Sequence, residues 1–377
     1  MIAAPGCQLE ILPKIEAAGE RSAASKATLR RRLVHMLAVA HDLTIDAGAM
    51  ADLGWQKDTL LEILIRLFCG RLADAVRRGM PRQYVAEEDN LPSLRGRLDI
   101  MRQFSTLAAQ PQRLACHFDE LSSDIALNQV MKAAVLKLSR LAQAPDNQRQ
   151  LRELGFVYGD ITPVPPSALR WDRIVLDRTN GRWKEILMLA RLLLGDRFQQ
   201  TSAGDTGGHA LLFEMNVLFE AYVAKLTRRA LAGTSLRVTT QGGHANCLYE
   251  EERGRFRTRP DIIVQRGKEV VLVIDTKWKR IAARIDDAKQ GVSQSDVYQL
   301  MAYAQLYACN RVMLLYPHHQ GLAGTSVSTT YSIASSESRN QLHVSTIDVA
   351  SGRAEITASL SKLIGNCLEK ALVARSA

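Results

Sequence analysis

The chain has 377 residues and a formal net charge of +10, and a chain of this length predicts two or three domains. Hydrophobic residues make up 46% of it, which is typical of a globular protein with sizeable cores. No apolar run approaches the roughly 18–20 residues that span a bilayer, and no signal peptide is evident, so we predict a cytoplasmic protein without a membrane partner. The positive charge favours an acidic partner, most simply nucleic acid.

The sequence lacks the motifs of several common metal, disulfide, nucleotide and catalytic sites. The six cysteines are scattered without a C-x-x-C pair, which argues against a zinc site or a disulfide framework. Neither the phosphate-binding loop G-x-x-x-x-G-K-[ST] nor a G-x-S-x-G or Cys/His catalytic signature occurs. We therefore expect this chain to bind no nucleotide, so that any dependence on a nucleoside triphosphate comes from a partner.

Residues 1–200 have a mainly helical pattern with some strand. A strand-like segment, "QLEILPKI", precedes apolar residues at three-to-four spacing between Lys26 and Gly79, and that spacing predicts helices. A strand is expected from Tyr84, and helices in "LNQVMKAAVLKLSRLAQ" and "WKEILMLARLLLGDRF". The proline-rich "GDITPVPPSALRW" and the glycine-rich "TSAGDTGGHA" are linker candidates. We place the main boundary near the second one and predict an N-terminal region, 1–200, and a C-terminal domain, 201–377.

The C-terminal domain alternates helices and strands. A helix in "LLFEMNVLFEAYVAKLTRRAL" is followed by strand-like "LRVTTQ", "RPDIIVQ" and "EVVLVIDTKW". A helix in "SDVYQLMAYAQLYA", a strand in "RVMLLYP", a strand in "QLHVSTIDV" and a final helix complete the chain. This order predicts an α/β fold for the domain and an α+β arrangement over the whole chain.

Acidic residues and a lysine stand where two of these strands meet. Asp261 precedes the strand "IIV", a turn follows at 265–268, and the returning strand is apolar until Asp275 and Lys277. Residues two apart project from the same side of a strand, and pairing about the turn brings Asp261 near Asp275. A solvated strand end, with Asp261 capping a turn, is the simpler alternative for so short a pattern.

Two neighbouring carboxylates are costly unless a cation joins them. Mg²⁺ suits such oxygen ligands and completes its shell with water and substrate phosphate, and Mn²⁺ is an alternative ion. A lysine beside the metal offsets charge that develops on a phosphate. The set therefore predicts metal-assisted hydrolysis of a phosphodiester. Gln299 and Tyr303, one turn apart on the next helix, are placed to cover this end of the strand.

The combination of "RPD", "IDTK" and "QLMAY" resembles the PD-(D/E)XK nuclease superfamily, in the branch with a Q-x-x-x-Y helix. Longer blocks resemble the McrC family, the nuclease subunit of McrBC-type restriction systems for 5-methylcytosine DNA. They are "LFEMNVLFEAYV", "RPDIIV", "VLVIDTKWK", "DVYQLMAYA" and "LLYP", with "LEILPKI", "LRGRLDI" and "DELSSDIALNQVMKAA" upstream. The resemblance spans most of the chain. It implies a restriction-endonuclease-like core in 201–377, a mixed sheet flanked by helices, and partner docking by residues 1–200.

The resemblance also implies roles for individual residues. Asp261 and Asp275 match the metal-binding acids, and Lys277 matches the catalytic lysine. The helix motif, matched here by Gln299 and Tyr303, supports the site or touches DNA in the family.

Two further groups are candidates with open alternatives. Glu220 in "LFEAY" matches an acid that often joins the metal site in the family, while a surface glutamate and the competing Glu214 remain alternatives. From Glu251 to Arg284 the net charge is +5, half of the chain's excess. Such a segment would bind phosphates and make DNA binding salt-dependent. The alternative is a solvated arginine face without a DNA contact. The candidate DNA-binding residues alternate along this segment: Arg253, Arg255, Arg257 and Arg259.

By this resemblance the protein is a Mg²⁺-dependent DNA endonuclease subunit that hydrolyses phosphodiesters of modified, foreign DNA. The implied partner is a McrB-type AAA+ subunit that hydrolyses GTP. A RecB-like repair exonuclease and a non-catalytic subunit that binds DNA or stimulates the GTPase are the alternatives. Little of the chain precedes "LEILPKI", so we expect the family's N-terminal sheet to be incomplete.

Overall fold

A computed structural model gives the fold of the chain. Its described residues hold nine α-helices and fifteen β-strands, which confirms the predicted mixed α/β class. Contacts divide the chain into two compact units, residues 1–10 with 58–212 and residues 11–57 with 213–377. The structure describes residues 2–4, 7–13, 15, 25–43, 58–195, 198–201, 208–211, 213–243, 245–282, 284–287, 291–322, 328–333 and 340–369.

The elements are numbered in chain order. The helices are α1 (Lys26–Ala40), α2 (Leu60–Arg77), α3 (Ile100–Phe104), α4 (Ala126–Leu141), α5 (Pro145–Val157), α6 (Lys184–Leu194), α7 (Met215–Ala230), α8 (Gln294–Leu306) and α9 (Arg353–Glu369). The strands are β1 (Ile2–Ala4), β2 (Cys7–Leu9), β3 (Gln83–Leu91), β4 (Arg97–Leu98), β5 (Leu114–Ser122), β6 (Phe198–Thr201), β7 (Gly208–Leu211), β8 (Leu236–Thr240), β9 (Asn246–Glu250), β10 (Arg253–Arg257), β11 (Ile262–Arg266), β12 (Glu269–Thr276), β13 (Arg311–Pro317), β14 (Ser328–Ser332) and β15 (Gln341–Ile347).

The first unit is a helical core with two small sheets. Helix α4 packs against α5 and α6, and α2 packs against the same two helices. Thr59 caps α2 by accepting from Glu62 N, and Gly79 follows the helix with φ +115°, a conformation that glycine adopts without strain. The sheets have the strand orders β2-β1-β7-β6 and β3-β5-β4.

The linker candidates fall in this unit. The proline-rich segment is packed within it, since Lys132 Nζ donates to Gly159 O at 3.0 Å. The glycine-rich segment, 201–210, lies largely outside the described residues, which include Thr201 and 208–210 of it. The division of roles between 1–200 and 201–377 stays a prediction.

The second unit is built on a six-stranded mixed sheet of order β14-β15-β13-β12-β11-β8. The three strands β12, β13 and β15 are parallel to one another, whereas β11, β8 and β14 pair antiparallel. Helix α8 packs on β12 and β13, α9 packs on β15, and α7 packs on α1, α9, β8 and β12. This arrangement covers β12, whose residues from Val271 to Thr276 are buried, as a continuous apolar strand predicts.

The predicted hairpin at the opening of the nuclease-like motif is confirmed. Gly267 has φ +62° in the turn between β11 and β12, where a side chain would be strained. No helix of the described residues is both long enough and apolar enough to span a bilayer.

Candidate active site

Asp261 lies immediately before β11, at the end of the sheet where β12 finishes. Ile262 pairs with Ile274 across the two strands, so the next residues outward, Asp261 and Asp275, stand opposite each other. The backbone N and Oγ1 of Thr276 both donate to Asp261 Oδ2 at 2.7 Å. The structure therefore brings together the two acids that the hairpin pattern predicted to be neighbours.

Asp275 is a buried carboxylate with a cation beside it. It is 1% exposed, and Lys277 Nζ lies 2.7 Å from its Oδ2. The contact is an ion pair, and among the described residues Oδ2 has no well-formed hydrogen bond. Burial, aided by the Asp261 carboxylate, raises the pKa of Asp275 to about 6 against the opposing charge of Lys277.

Burial also perturbs the pKa of the second acid, Asp261. Burial raises the pKa of Asp261, and the negative charge of Glu220 acts in the same direction, against hydrogen bonds from Thr276. Two desolvated carboxylates with raised pKa values share one strand end. A bound cation relieves this condition, since it favours the charged form of both groups.

Lys277 is held in place at both its backbone and its ammonium group. Its N donates to Leu315 O at 3.0 Å, which continues the pairing of β12 with β13. Besides Asp275, Nζ faces Gln299 Oε1 at 3.4 Å and Asp296 Oδ1 at 3.8 Å. Burial lowers the pKa of Lys277, but the nearby carboxylates of Asp275 and Asp296 outweigh it and the pKa is raised. The lysine is therefore a cation at neutral pH.

Helix α8 brings a polar stripe to this lysine. Gln299 Nε2 donates to Tyr303 OH at 2.8 Å, which directs the Oε1 of the same amide toward Lys277. Asp296, in the first turn of α8, is 7% exposed and pairs with Lys279 Nζ at 3.1 Å. The sequence reasoning missed Asp296. Its position one turn before Gln299, on the same helix face, places it among the candidates, but its contacts with the lysines depend on how α8 docks against β12.

Glu220 lies close to Asp261, whereas Glu214 is exposed at the start of α7. Glu220 Oε1 accepts from Gln241 Nε2 at 3.1 Å, and Gln241 N donates to Asp261 O at 3.1 Å. Gln241 therefore links the helix acid to the strand acid. Next to the lysine, Trp278 N donates to Asn216 Oδ1 at 3.1 Å, which joins the first turn of α7 to the end of β12.

The predicted DNA-binding arginines lie on and just after β10, which pairs only with β9 among the described strands. Every residue of β10 is exposed, and Arg255 forms an ion pair with Glu250 at 2.7 Å. Phe256 has φ +53°, which departs from extended backbone and interrupts the expected alternation. Arg259 follows the strand and is exposed.

Comparison with known proteins identifies the chain's relatives. The family model described as McrBC 5-methylcytosine restriction system component matches residues 1–317. The chain belongs to this family. It is 23% identical over 261 residues to the type IV methyl-directed restriction enzyme EcoKMcrBC of Escherichia coli K12, which covers 65% of this chain and 72% of the relative. The McrBC-type chain is also similar in fold to a chain of a Thermococcus gammatolerans half-complex, in which McrB AAA+ hexamers carry bound McrC. The match has a TM-score of 0.64, 22% identity, and covers 97% of this chain and 81% of that chain.

The residues of the McrBC-family site fit a divalent cation. Asp275 Oδ2 is buried without a well-formed hydrogen bond, and the facing Asp261 carboxylate has one oxygen bound by Thr276. These are hard oxygen ligands of the kind Mg²⁺ prefers, and Mg²⁺ fills its remaining positions with water and phosphate oxygens. Among the described residues no three His, Cys, Asp or Glu side chains are grouped closely enough to form an all-protein metal cage.

Proposed function

We propose that this chain is the DNA-cleaving subunit of its restriction system. It is a Mg²⁺-dependent endonuclease that hydrolyses phosphodiesters of modified DNA together with a GTP-hydrolysing AAA+ partner. The observation that carries the proposal is the group of Asp261, Asp275 and Lys277 at the shared end of β11 and β12. Two acids whose oxygens can bind a metal ion, together with a lysine, are the groups that metal-assisted phosphodiester hydrolysis needs.

Asp261 and Asp275 are the proposed direct ligands of the ion. Glu220, which is not grouped with them closely enough for direct ligation, is the proposed third acid and acts on the site through its charge. When bound, the ion supplies Lewis-acid chemistry and neutralises charge on the phosphate, and Mn²⁺ is the alternative ion. The position of Glu220 beside Gln241, whose backbone binds Asp261, supports it over the exposed Glu214.

The protein's own groups orient the substrate and hold charge. Lys277, cationic and half-buried, places a fixed positive charge where the phosphate develops negative charge, which stabilises the transition state. Gln299, oriented by Tyr303, restricts where that ammonium group points. The arginines on and after β10 are proposed to contact the DNA backbone, since exposed guanidinium groups bind phosphate.

Relatives support the partner. The Thermococcus structure contains McrB AAA+ hexamers with bound McrC, and we propose a comparable AAA+ partner for this chain. Because this sequence has no phosphate-binding loop, GTP hydrolysis is assigned to that partner.

The proposal is tested with Asp275→Ala and Lys277→Ala. Each variant is assayed on a methylated, covalently closed circular DNA with the partner, GTP and Mg²⁺. We expect the cleavage rate to fall on the order of 100-fold or more, the size of effect seen when a group that stabilises the transition state is removed. Partner binding and stimulation of GTP hydrolysis should persist, since neither role is assigned to these residues.

The matched control is Asp286→Ala, because Asp286 is an exposed acid that pairs with the exposed Arg284 in the same unit. This variant should cut at the wild-type rate. Cleavage by both site variants at that rate would contradict the site assignment. Wild-type protein that degrades linear DNA and leaves circles intact would favour the repair-exonuclease alternative.

A further inference from the structure

Lys277 is placed between two carboxylates, and only one of them belongs to the proposed metal site. Its Nζ lies 2.7 Å from Asp275 Oδ2 and 3.8 Å from Asp296 Oδ1. We propose that Asp296 is a positioning residue that keeps Lys277 at the site when Asp275 binds the divalent ion. The inference rests on the proposed function, because it concerns how the same site accommodates its metal.

Lys277 and the divalent ion would compete for one oxygen of Asp275. Asp275 Oδ2 now faces the ammonium group of Lys277, and a divalent ion on this carboxylate would face the same cation at short range. Two positive charges at such a distance repel each other strongly in a site with little water. The lysine therefore has to move its charge toward other acceptors. The nearest described ones are Gln299 Oε1 at 3.4 Å and Asp296 Oδ1 at 3.8 Å, and Asp296 is the charged one.

The carboxylate of Asp296 is placed to accept the ammonium group of Lys277. Its side chain is 10% exposed, and a buried carboxylate is costly unless cations pair with it. Its two oxygens are divided between two lysines, since Oδ2 pairs with Lys279 at 3.1 Å and Oδ1 faces Lys277. Lys279 is half-exposed, so this ion pair can keep Asp296 in position while Lys277 shifts.

A simple helix-capping role does not explain this geometry. Asp296 occupies the first turn of α8, where acids stabilise the helix. Ser293, the cap of α8, has no side-chain capping bond, and the carboxylate of Asp296 contacts Lys277 and Lys279 just after β12, whereas only its backbone N contacts the cap. Its place three residues before Gln299 puts both lysine acceptors on one helix face. Helix α8 therefore carries a two-residue acceptor for Lys277.

The test measures Mn²⁺ binding to the whole protein without DNA, by calorimetric titration. Asp296→Asn should weaken Mn²⁺ binding by about tenfold, within the range of couplings between contacting charged groups, because Lys277 then stays on Asp275 and competes with the ion. Lys277→Met should bind Mn²⁺ more tightly than wild type. In the Lys277→Met background, Asp296→Asn should change the affinity little, since the lysine through which it acts is absent.

Three comparisons make the outcome decisive. Asp286→Asn, an exposed acid of the same unit, should leave Mn²⁺ affinity unchanged. Asp296→Glu, which keeps the charge, should fall between wild type and Asp296→Asn, and thermal unfolding of each variant verifies that it is folded. Single-turnover cleavage by Asp296→Asn with partner and GTP should be slower at unchanged DNA affinity.

The two possible failures are distinct. If Asp275→Asn binds Mn²⁺ as well as wild type does, the metal site and the proposed function both fail. If Asp275→Asn loses Mn²⁺ while Asp296→Asn matches Asp286→Asn, only the positioning role is overturned. An equal loss from Asp296→Asn with and without Lys277 also overturns it, because Asp296 then acts directly on the ion.

Discussion

Asp275 shows how a residue suited to a site can oppose stability. A carboxylate that is 1% exposed loses its hydration. The nearby ammonium group of Lys277 does not fully offset that loss, so the pKa is raised to about 6. Sites that need such groups commonly lower the stability of the protein that carries them. The strand end is therefore a place where a substitution separates stability from activity.

We predict that Asp275→Asn stabilises the metal-free protein at pH 8. The pKa of Asp275 is raised from 3.8 to about 6 on folding, so its contribution favours the folded state below pH 3.8 and is lost as pH rises through about 6. The variant lacks this titration. Its free energy of unfolding should exceed that of wild type at pH 8, on the order of 1–3 kcal/mol, and the gain should shrink by pH 5.

Urea unfolding with EDTA at both pH values measures this difference. Asp286→Asn, an exposed acid, should show no comparable pH-dependent gain. A variant that is less stable than wild type at pH 8 would mean that the ion pair with Lys277 outweighs the cost of burial.

At the scale of elements, periodicity and apolar runs predicted the long helices and the central strands. The apolar run of β12 and the turn at Gly267 were sufficient to pair Asp261 with Asp275, because both signals are local. The β9–β10 hairpin was missed as a pair of strands, since its residues are almost all exposed and β9 carries no alternation that would match the alternating arginines of β10. The contact of Asp296 with Lys279 was missed because it depends on how α8 docks against β12, which no local pattern specifies.

The exposed β9–β10 hairpin leads to a prediction for DNA binding. A two-stranded hairpin with both faces in solvent is marginally stable by itself, and this one presents cations to solvent. Replacing Arg253 and Arg259 together by Gln should weaken DNA binding. The slope of log affinity against log salt should fall by about 2, roughly one for each lost phosphate contact.

Binding is measured by fluorescence anisotropy with Ca²⁺ in place of Mg²⁺, so that DNA is not cut. Arg149→Gln is the control, because Arg149 is an exposed arginine of α5 that pairs with the exposed Asp146. A double variant with the slope of wild type would show that the hairpin arginines form a solvated face without contact to DNA.

At the scale of the whole molecule, the chain passes from the first unit to the second, returns to the first at residue 58, and ends in the second from residue 213. Residues 11–57 belong with 213–377, and α1 packs on α7. The helical patterns of α1 and α2 are alike in sequence, so periodicity gave no sign that they belong to different units. Such pairing depends on contacts between residues far apart in the chain, which a local pattern does not encode.

This arrangement predicts that a core substitution in α1 and one in α4 destabilise different units. Leu37 in α1 is 1% exposed and Leu138 in α4 is 0% exposed, and replacing either buried leucine by Ala should cost about 2–5 kcal/mol. We expect Leu37→Ala to speed amide hydrogen exchange in α7, although α7 lies far along the sequence, and to leave α4 protected. Leu138→Ala should show the reverse pattern, with faster exchange in α5 and α6, which pack on α4.

Mass spectrometry of peptic fragments resolves these helices in one experiment, and each variant is the control for the other. Equal loss of protection in α4 and α7 by both variants would mean that the two units unfold as one cooperative body.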